Sequence, residues 1–245
     1  MCSSKKWYEQ AFGEDYVERY AHRDETEAAL AVELLRGLAL RRGANCLDLC
    51  CGAGRHLPFL AQLGLNVTGG DLSLPLLKEA EANHGALARL DMRALPFVDG
   101  AFQVVTNFFT AFGYFDRDED NAGVIAEVAR VLEPGGWFVL DFFNSHLVGK
   151  ELGCSTGWKT VRRANGTLAR VHRHLTPDKL RAEKQVEEAS GLSYRESVRL
   201  YSREELENMM VTCGMTVVQR WGDYTGQAFA VEQSTRCIVV GRLPG

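Results

Sequence analysis

Two glycines and two acids stand at spacings suited to holding a nucleotide-like ligand. In Asn45-Cys46-Leu47-Asp48-Leu49-Cys50-Cys51-Gly52-Ala53-Gly54-Arg55-His56 an apolar run stops at a glycine turn. Gly52 and Gly54 allow positive φ, or let a ligand approach the backbone with no Cβ in the way. Asp71 follows about 17 residues beyond Gly54, close to the roughly 20-residue offset at which an acid meets a ribose hydroxyl in a nucleotide crevice. Asp91-Met92 ends a further short apolar run. Seven cysteines, Cys2, Cys46, Cys50, Cys51, Cys154, Cys213 and Cys237, form no C-x-x-C pair. The pair Cys50-Cys51 reads as two small turn residues, and no metal site is expected, because ligand spacing and convergent histidines are absent.

These residues need strands and helices to hold them. The run at 45–49 reads as a strand buried on both faces, followed by a helix with Leu57, Leu60 and Leu63 on one side and Gly64 as its stop. A second strand ends at Asp71; Ser73 then caps a helix that tolerates Pro75 in its first turn. Short apolar runs at 88–90 and 103–107 are strands three and four, and the fourth leads into the aromatic loop Phe108 to Phe115. The acids Asp116, Asp118, Glu119 and Asp120 open a helix and are expected to be a solvated cap. Pro134-Gly135-Gly136 turns the chain into a fifth strand at 137–141. Strands alternating with helices indicate an α/β fold with a mostly parallel, doubly wound sheet.

The ends and the interior depart from that alternation. Trp7, Tyr8, Phe12, Tyr16 and Tyr20 suggest an amphipathic arm, then a helix capped by Asp24 and ended by Arg41, Arg42 and Gly43. From 153 to 200 the pattern becomes antiparallel strands, with Asn165-Gly166 as a hairpin signal. Its basic residues, among them Arg162, Arg163, Arg170, Arg173 and Arg181, face Glu183, Glu187 and Glu188 on the neighbouring strand, as cross-strand pairs. Ser202 with Glu205 is a capping box, and strands at 216–221 and 237–240 complete the chain. The expected organisation is an N-terminal helical arm or cap over 1–40 and an α/β core over 41–152. A β insert acting as a substrate lid follows over 153–200, then the remainder of the core over 201–245.

The 245 residues, 46% hydrophobic and 24% charged, suffice for a substantial core. A net charge of -4 gives no general attraction to nucleic acid or anionic membranes, so neither is an expected partner. No apolar run approaches the roughly 18 residues of a membrane helix. The N-terminus lacks the apolar stretch of a secretion signal, and the unpaired cysteines suit a reducing, cytoplasmic compartment.

From about Leu30 to its C-terminus the chain resembles the class I S-adenosylmethionine-dependent methyltransferases, in particular bacterial small-molecule members. Leu47-Asp48-Leu49-Cys50-Cys51-Gly52-Ala53-Gly54 resembles their glycine-rich first motif, and Arg130-Val131-Leu132-Glu133-Pro134-Gly135-Gly136 the segment before their fifth strand. Gly70 stands where an apolar residue is commoner. The resemblance implies a Rossmann-like seven-stranded sheet whose last strand is antiparallel and inserted between the fifth and sixth. It implies S-adenosylmethionine as cofactor and S-adenosylhomocysteine as product. Asp71, with Leu72 beside it, would meet the ribose, and Asp91 and Met92 the adenine. Cys50, Gly52, Gly54 and Asp48 would surround the methionine portion, and Asn107 faces the same crevice. Tyr20 and Arg23, read from spacing as covering residues, become partners of the methionine end.

The implied reaction is in-line methyl transfer to nitrogen or oxygen of a small molecule. Segments after strands four to six would line the acceptor side, with Tyr114, His146, Asp223 and Tyr224 as catalytic candidates beside Asp141 and Asn144. Three other readings stay open: RNA methylation by way of the basic insert, a non-catalytic cofactor-binding module, and a dinucleotide oxidoreductase. The last is weakened by Leu57, which stands where its third glycine belongs. The chain's oligomeric state is open, a homodimer included.

Overall fold

Alternation of apolar side chains along five parallel strands builds two packed layers on one sheet. In the computed structural model, which describes residues 6–13, 25–81, 85–154, 157–163 and 166–245, these strands are β1 (Asn45–Leu49), β2 (Asn66–Asp71), β3 (Ala86–Arg89), β4 (Phe102–Asn107) and β5 (Leu132–Phe143). Strands β6 (Lys159–Arg162), β7 (Leu168–Leu175), β8 (Arg181–Glu188) and β9 (Ser193–Arg199) form a separate antiparallel sheet. The seven-stranded sheet is completed by β10 (Thr216–Trp221) and β11 (Arg236–Arg242), in the order β10-β11-β5-β4-β1-β2-β3. β11 lies between β5 and β10 and runs antiparallel to both, as expected.

The helices are α1 (Trp7–Ala11), α2 (Glu25–Glu33), α3 (Leu57–Gln62), α4 (Leu74–Ala80), α5 (Asp118–Val131), α6 (Ser145–Gly153) and α7 (Arg203–Thr212). On one face of the sheet, Leu47, Leu49, Val105, Phe138, Leu140 and Val239 pack with Val124, Ile125 and Val128 of α5 and with Leu206 and Met210 of α7. On the other, Cys46, Val104, Val139, Ile238 and Val240 pack with Ala31 and Val32 of α2 and with Leu57 and Leu60 of α3. Each fully buried aliphatic or aromatic side chain of this kind contributes about 1.5–3 kcal/mol. The Ser202–Glu205 capping box is present in both halves, and Ser73 Oγ accepts from Leu76 N–H at the start of α4.

Several elements differ from the sequence-based expectations. The helix expected to run to Arg42 ends at Glu33 and tightens into a 3-10 turn, Leu34–Gly37, after which Leu38 is extended. Arg41 therefore does not sit on a helix end. It lies at the amino ends of β4 and β5, its N–H donating to Gln103 Oε1 at 2.7 Å and its guanidinium pairing with Glu133. The Pro134-Gly135-Gly136 turn lies within β5, whose pairing with β4 shifts register between Phe102 and Val104. α6 carried no clear apolar periodicity, and Gly149 at its middle masks it; Asn144 starts it by accepting from His146 N–H. The acidic opening of α5 is not merely solvated, since Tyr201 Oη–H donates to Asp118 at 2.6 Å. Tyr16, His22, Asp24 and Asn165 lie outside the described residues.

Gly54 illustrates how tightly the first turn is packed. Its φ is +76°, and a Cβ there would stand 2.9 Å from both Ala80 Cβ and Leu57 Cδ1. Its glycine serves helix packing rather than ligand approach. Gly54→Ala is expected to destabilise the protein by about 2–4 kcal/mol, from left-handed strain plus overpacking, read as a lowered urea midpoint. An unchanged midpoint would refute the tight packing.

Candidate functional site

The loops at the carboxyl ends of β1, β2, β3 and β4, together with α1, enclose a cavity of about 650 Å³. It lies where strand order reverses, with β4 on one side of β1 and β2 and β3 on the other, the usual ligand position in open α/β sheets. The turn after β1 holds Cys50, Gly52 and Gly54 all at positive φ. A Cβ on Gly52 would meet only Leu76 Cδ1 at 3.9 Å, so this part of the wall is open backbone.

Asp71 is built into that turn. Its carboxylate accepts from Gly52 N–H at 2.9 Å and Ser73 N–H at 2.8 Å. Burial pushes its pKa up, and the two backbone donors oppose the shift. Asp91 is held differently: Arg93 clamps it with Nε at 3.0 Å and a terminal nitrogen at 2.6 Å, which holds its carboxyl below the ordinary range. Gly70 is small because Leu90 fills its space; a Cβ there would stand 2.6 Å from Leu90 Cδ2. Cys50 Sγ lies 3.6 Å from Met92 Sδ, and burial pushes the Cys50 and Cys51 thiols well up.

The roof is aromatic. Trp7 and Phe12 pack against Tyr114, with ring centroids 4.9 and 5.8 Å apart, and Tyr8 meets Phe115 edge-on. Trp7 Nε1–H donates to the Tyr114 carbonyl, and Ser73 Oγ donates to the Phe12 carbonyl at 2.6 Å. Arg181 of β8 donates to the carbonyls of Gly113, Tyr114 and Phe115, docking the antiparallel sheet on this loop.

One side wall is held by a buried carboxylate. Asp141, at 0% exposure, accepts from Phe109 N–H at 2.8 Å, Tyr224 Oη–H at 2.6 Å and Arg236 Nε at 2.8 Å. Phe109 and Thr110 both adopt positive φ, and the Thr110 N–H donates to the Asp141 carbonyl. Arg55 lies over the Phe109 ring, 3.4 Å from its centroid. Beneath, Thr106 Oγ1 donates to Asp48 at 2.9 Å, and His56 Nδ1 lies 3.7 Å from the same carboxylate.

The cavity gathers Cys50, Gly52, Asp71, Leu72, Asp91, Met92 and Tyr114 among the expected site residues. Asp48 and Asn107 are buried behind its floor, and Asn107 Nδ2 donates to the Leu49 carbonyl. Tyr224 is turned inward to Asp141, which with burial pushes its hydroxyl pKa up. His146 and Asp223 are not at the cavity. His146 faces Glu232 at 3.0 Å because α6 carries it along a separate groove, and Asp223 closes its own turn by accepting from Thr225 and Gln227. Tyr20 and Arg23 lie outside the described residues. Sequence reasoning missed Tyr8, Phe12, Arg55 and His56 as lining residues. His56 had a signal, a titratable ring two residues after a ligand-type glycine turn. Among the described residues, no cluster of three His, Cys, Asp or Glu could hold a metal ion, and no helix is long and apolar enough to cross a membrane.

Residues 46–136 match a family model described as a methyltransferase domain. The chain is 31% identical over 180 residues to a ubiquinone biosynthesis O-methyltransferase of Xanthomonas oryzae pv. oryzae, covering 67% of this chain and 73% of that one. It spans half or less of the length of other curated methyltransferases it matches, from Synechocystis, Beutenbergia and Desulfotalea. Among solved structures it is similar to the CcbJ methyltransferase of Streptomyces caelestis, with TM-score 0.81, 20% identity, and coverage of 99% and 100% of the two chains. It is also similar to the sugar N-methyltransferase KedS8 of Streptoalloteichus, with TM-score 0.71, 21% identity, and coverage of 100% and 99%.

Burial pushes the two thiols in the turn well up, Cys50 although it lines the cavity, and this sets their chemistry. With iodoacetamide at pH 8, exposed Cys154 is expected to alkylate about tenfold or more faster than Cys46, Cys50 or Cys51, read by peptide mass spectrometry. Equal labelling of Cys50 would contradict its raised pKa.

Proposed function

Because the chain belongs to the class I S-adenosylmethionine-dependent methyltransferases, we propose that it transfers a methyl group to nitrogen or oxygen of a small molecule by in-line displacement. The observation that carries this reading is Asp71. Its two oxygens are oriented by Gly52 and Ser73 N–H groups at the cavity wall, leaving lone pairs for a pair of ribose hydroxyls. The open backbone at Gly52 fits the same ligand, since no Cβ intrudes on the wall. S-Adenosylmethionine, when bound, supplies a methyl group on a positively charged sulfur.

The protein's part is positional. Asp71 and Leu72 hold the ribose, Asp91 and Met92 face the adenine, and the turn from Cys50 to Gly54 carries the methionine portion, with Asp48 and Asn107 stiffening it from behind. Tyr20 and Arg23 belong to this proposal as partners of the methionine end. The acceptor enters beneath the aromatic roof, where Phe108, Phe109, Ala111, Tyr114 and Phe115 form an apolar wall that excludes water. Tyr114, held by Trp7 and Phe12, brings a hydroxyl-bearing ring to the acceptor side. Tyr224 acts through Asp141 on the Phe109 wall. Holding nucleophile, carbon and sulfur in line contributes several kcal/mol, about 7 in good cases. The sheet of β6 to β9 acts as a lid over the acceptor.

A small acceptor is favoured over RNA because several of the insert's cations already face acids. Arg163 meets Glu188, Arg170 meets Glu187, and Lys184 meets Glu196, each within 2.9 Å. The test is calorimetry with S-adenosylhomocysteine and NAD. It is followed by labelled-methyl transfer from S-adenosylmethionine to a panel containing an aminosugar, a hydroxylated quinol and tRNA. Binding of NAD alone, or labelling of tRNA alone, would overturn the reading. Asp71→Ala is expected to weaken S-adenosylhomocysteine at least about tenfold through lost charge-assisted hydrogen bonds; unchanged affinity would refute the ribose assignment.

A further inference from the structure

Resting on the methyl-donor reading, we propose that Arg93 is the positioning residue through which Asp91 selects a donor base carrying an amino group. Asp91 follows β3 and lines the cavity between Leu90 and Met92. Arg93 grips it from three donor atoms. The Arg93 N–H lies 2.9 Å from Oδ1, Nε lies 3.0 Å from Oδ1 and 3.2 Å from Oδ2, and Nη2 lies 2.6 Å from Oδ2. The Ala94 N–H closes the turn on the Asp91 carbonyl at 3.0 Å.

Counting lone pairs separates the two acids of the cavity. An ionised carboxylate offers about four acceptor sites and no proton. On Asp91, Oδ1 has two close donors, whereas Oδ2 has Nη2 and the longer share of Nε, so one site remains on Oδ2. Asp71 is different: Oδ2 accepts from Gly52 N–H and Oδ1 from Ser73 N–H, so one site remains on each oxygen. Two sites match a ribose diol; a single site matches a single N–H. With 32% of its side chain exposed, Asp91 stays open to a ligand in the cavity.

The fork that leaves this site is itself held. The Arg93 guanidinium carbon lies 4.5 Å over the centre of the Phe115 ring, and a cation is attracted to such a face. Phe115 is buried, its N–H donates to Asn121 Oδ1, and its carbonyl accepts from Asn121 Nδ2. Farther along the loop, the Leu95 N–H donates to Glu127 and the Leu95 carbonyl accepts from Arg130, which anchors the segment to α5. A carboxylate fixed in advance spares the ligand the cost of immobilising it. The same clamp holds Asp91 ionised, so it accepts hydrogen bonds and donates none. A 6-amino purine supplies the N–H that such a group takes up. A purine with hydrogen at that position does not.

The test is a ratio of affinities, measured by calorimetry at neutral pH. One ligand is S-adenosylhomocysteine; the other is its 6-deamino analogue, with hydrogen in place of the amino group and the ring otherwise unchanged. The wild type is expected to prefer the amino compound by about tenfold or more, the scale of a hydrogen bond to a charged group. Arg93→Met keeps an apolar stem over Phe115 and removes the fork. It is expected to lower the ratio by about three- to tenfold, with the deamino analogue bound as before. Arg93→Lys keeps the charge without the fork and should fall between the two. A wild type without preference overturns the proposal. So does a ratio that Arg93→Met leaves unchanged, because a merely structural loss weakens both ligands alike. A raised ratio would show that Arg93 competes with the ligand for Asp91, and a wild-type ratio in Arg93→Lys would show that charge alone suffices; each overturns the fork as the determinant. Binding of neither compound would sink the cofactor reading itself, whereas equal binding of both sinks only the selectivity.

Discussion

Asp141 has no exposed surface, and three segments of chain converge on it. The carboxylate at the end of β5 meets Arg236 at the start of β11, Tyr224 from the loop after β10, and the Phe109 N–H of the loop after β4. Burying a charge is costly unless it is paired and its remaining lone pairs are satisfied. Here the pairing is complete only when β11 is already inserted beside β5. The antiparallel strand and the left-handed turn at Phe109 and Thr110 are therefore stabilised by the same charge. Arg236 also donates to Thr110 Oγ1 at 3.0 Å, so the arginine spans the carboxylate and the turn it supports.

The cavity inherits an asymmetry from this arrangement. One wall, from Cys50 to Asp71, is fixed by backbone hydrogen bonds and close glycine packing, in which Cys51 N–H continues the ladder to the Gly70 carbonyl. The opposite wall consists of aromatic rings held at a distance, through Asp141 on one side and Arg181 on the other. The first kind of wall suits a ligand common to many relatives. The second can change shape when a few side chains change, without disturbing the sheet.

Legibility from sequence followed how local each determinant is. β1, β2, the glycine turn, the Ser73 cap and the Ser202–Glu205 capping box depend on neighbours within a few residues, and each was readable. That Asp71, Leu72, Asp91 and Met92 share one cavity was readable because strand ends fix their place. α6 was hidden because its start depends on Asn144, whose amide donates to Val231 and Ser234 some ninety residues away. His146 and Asp223 looked like strand-end groups, but local turns and a distant glutamate redirect them. His56 was overlooked as a lining residue because only the folded sheet brings it beside Asp48 and Phe108.

The docking of Arg181 has a consequence for how such proteins diversify. One guanidinium reads three successive carbonyls of the loop from Gly113 to Phe115, and also bonds the side chain and carbonyl of Ser197 on β9. Carbonyls are indifferent to the side chains that accompany them, so the loop's aromatic residues can be exchanged while the joint persists. The small sheet itself is not an interchangeable cassette. A transplanted version without an arginine at this register would lose the hydrogen bonds that tie the loop to Ser197, leaving the three carbonyls only Arg199 N–H, Trp7 Nε1–H and Asn121 Nδ2 as donors, and would loosen the roof instead of altering its preference.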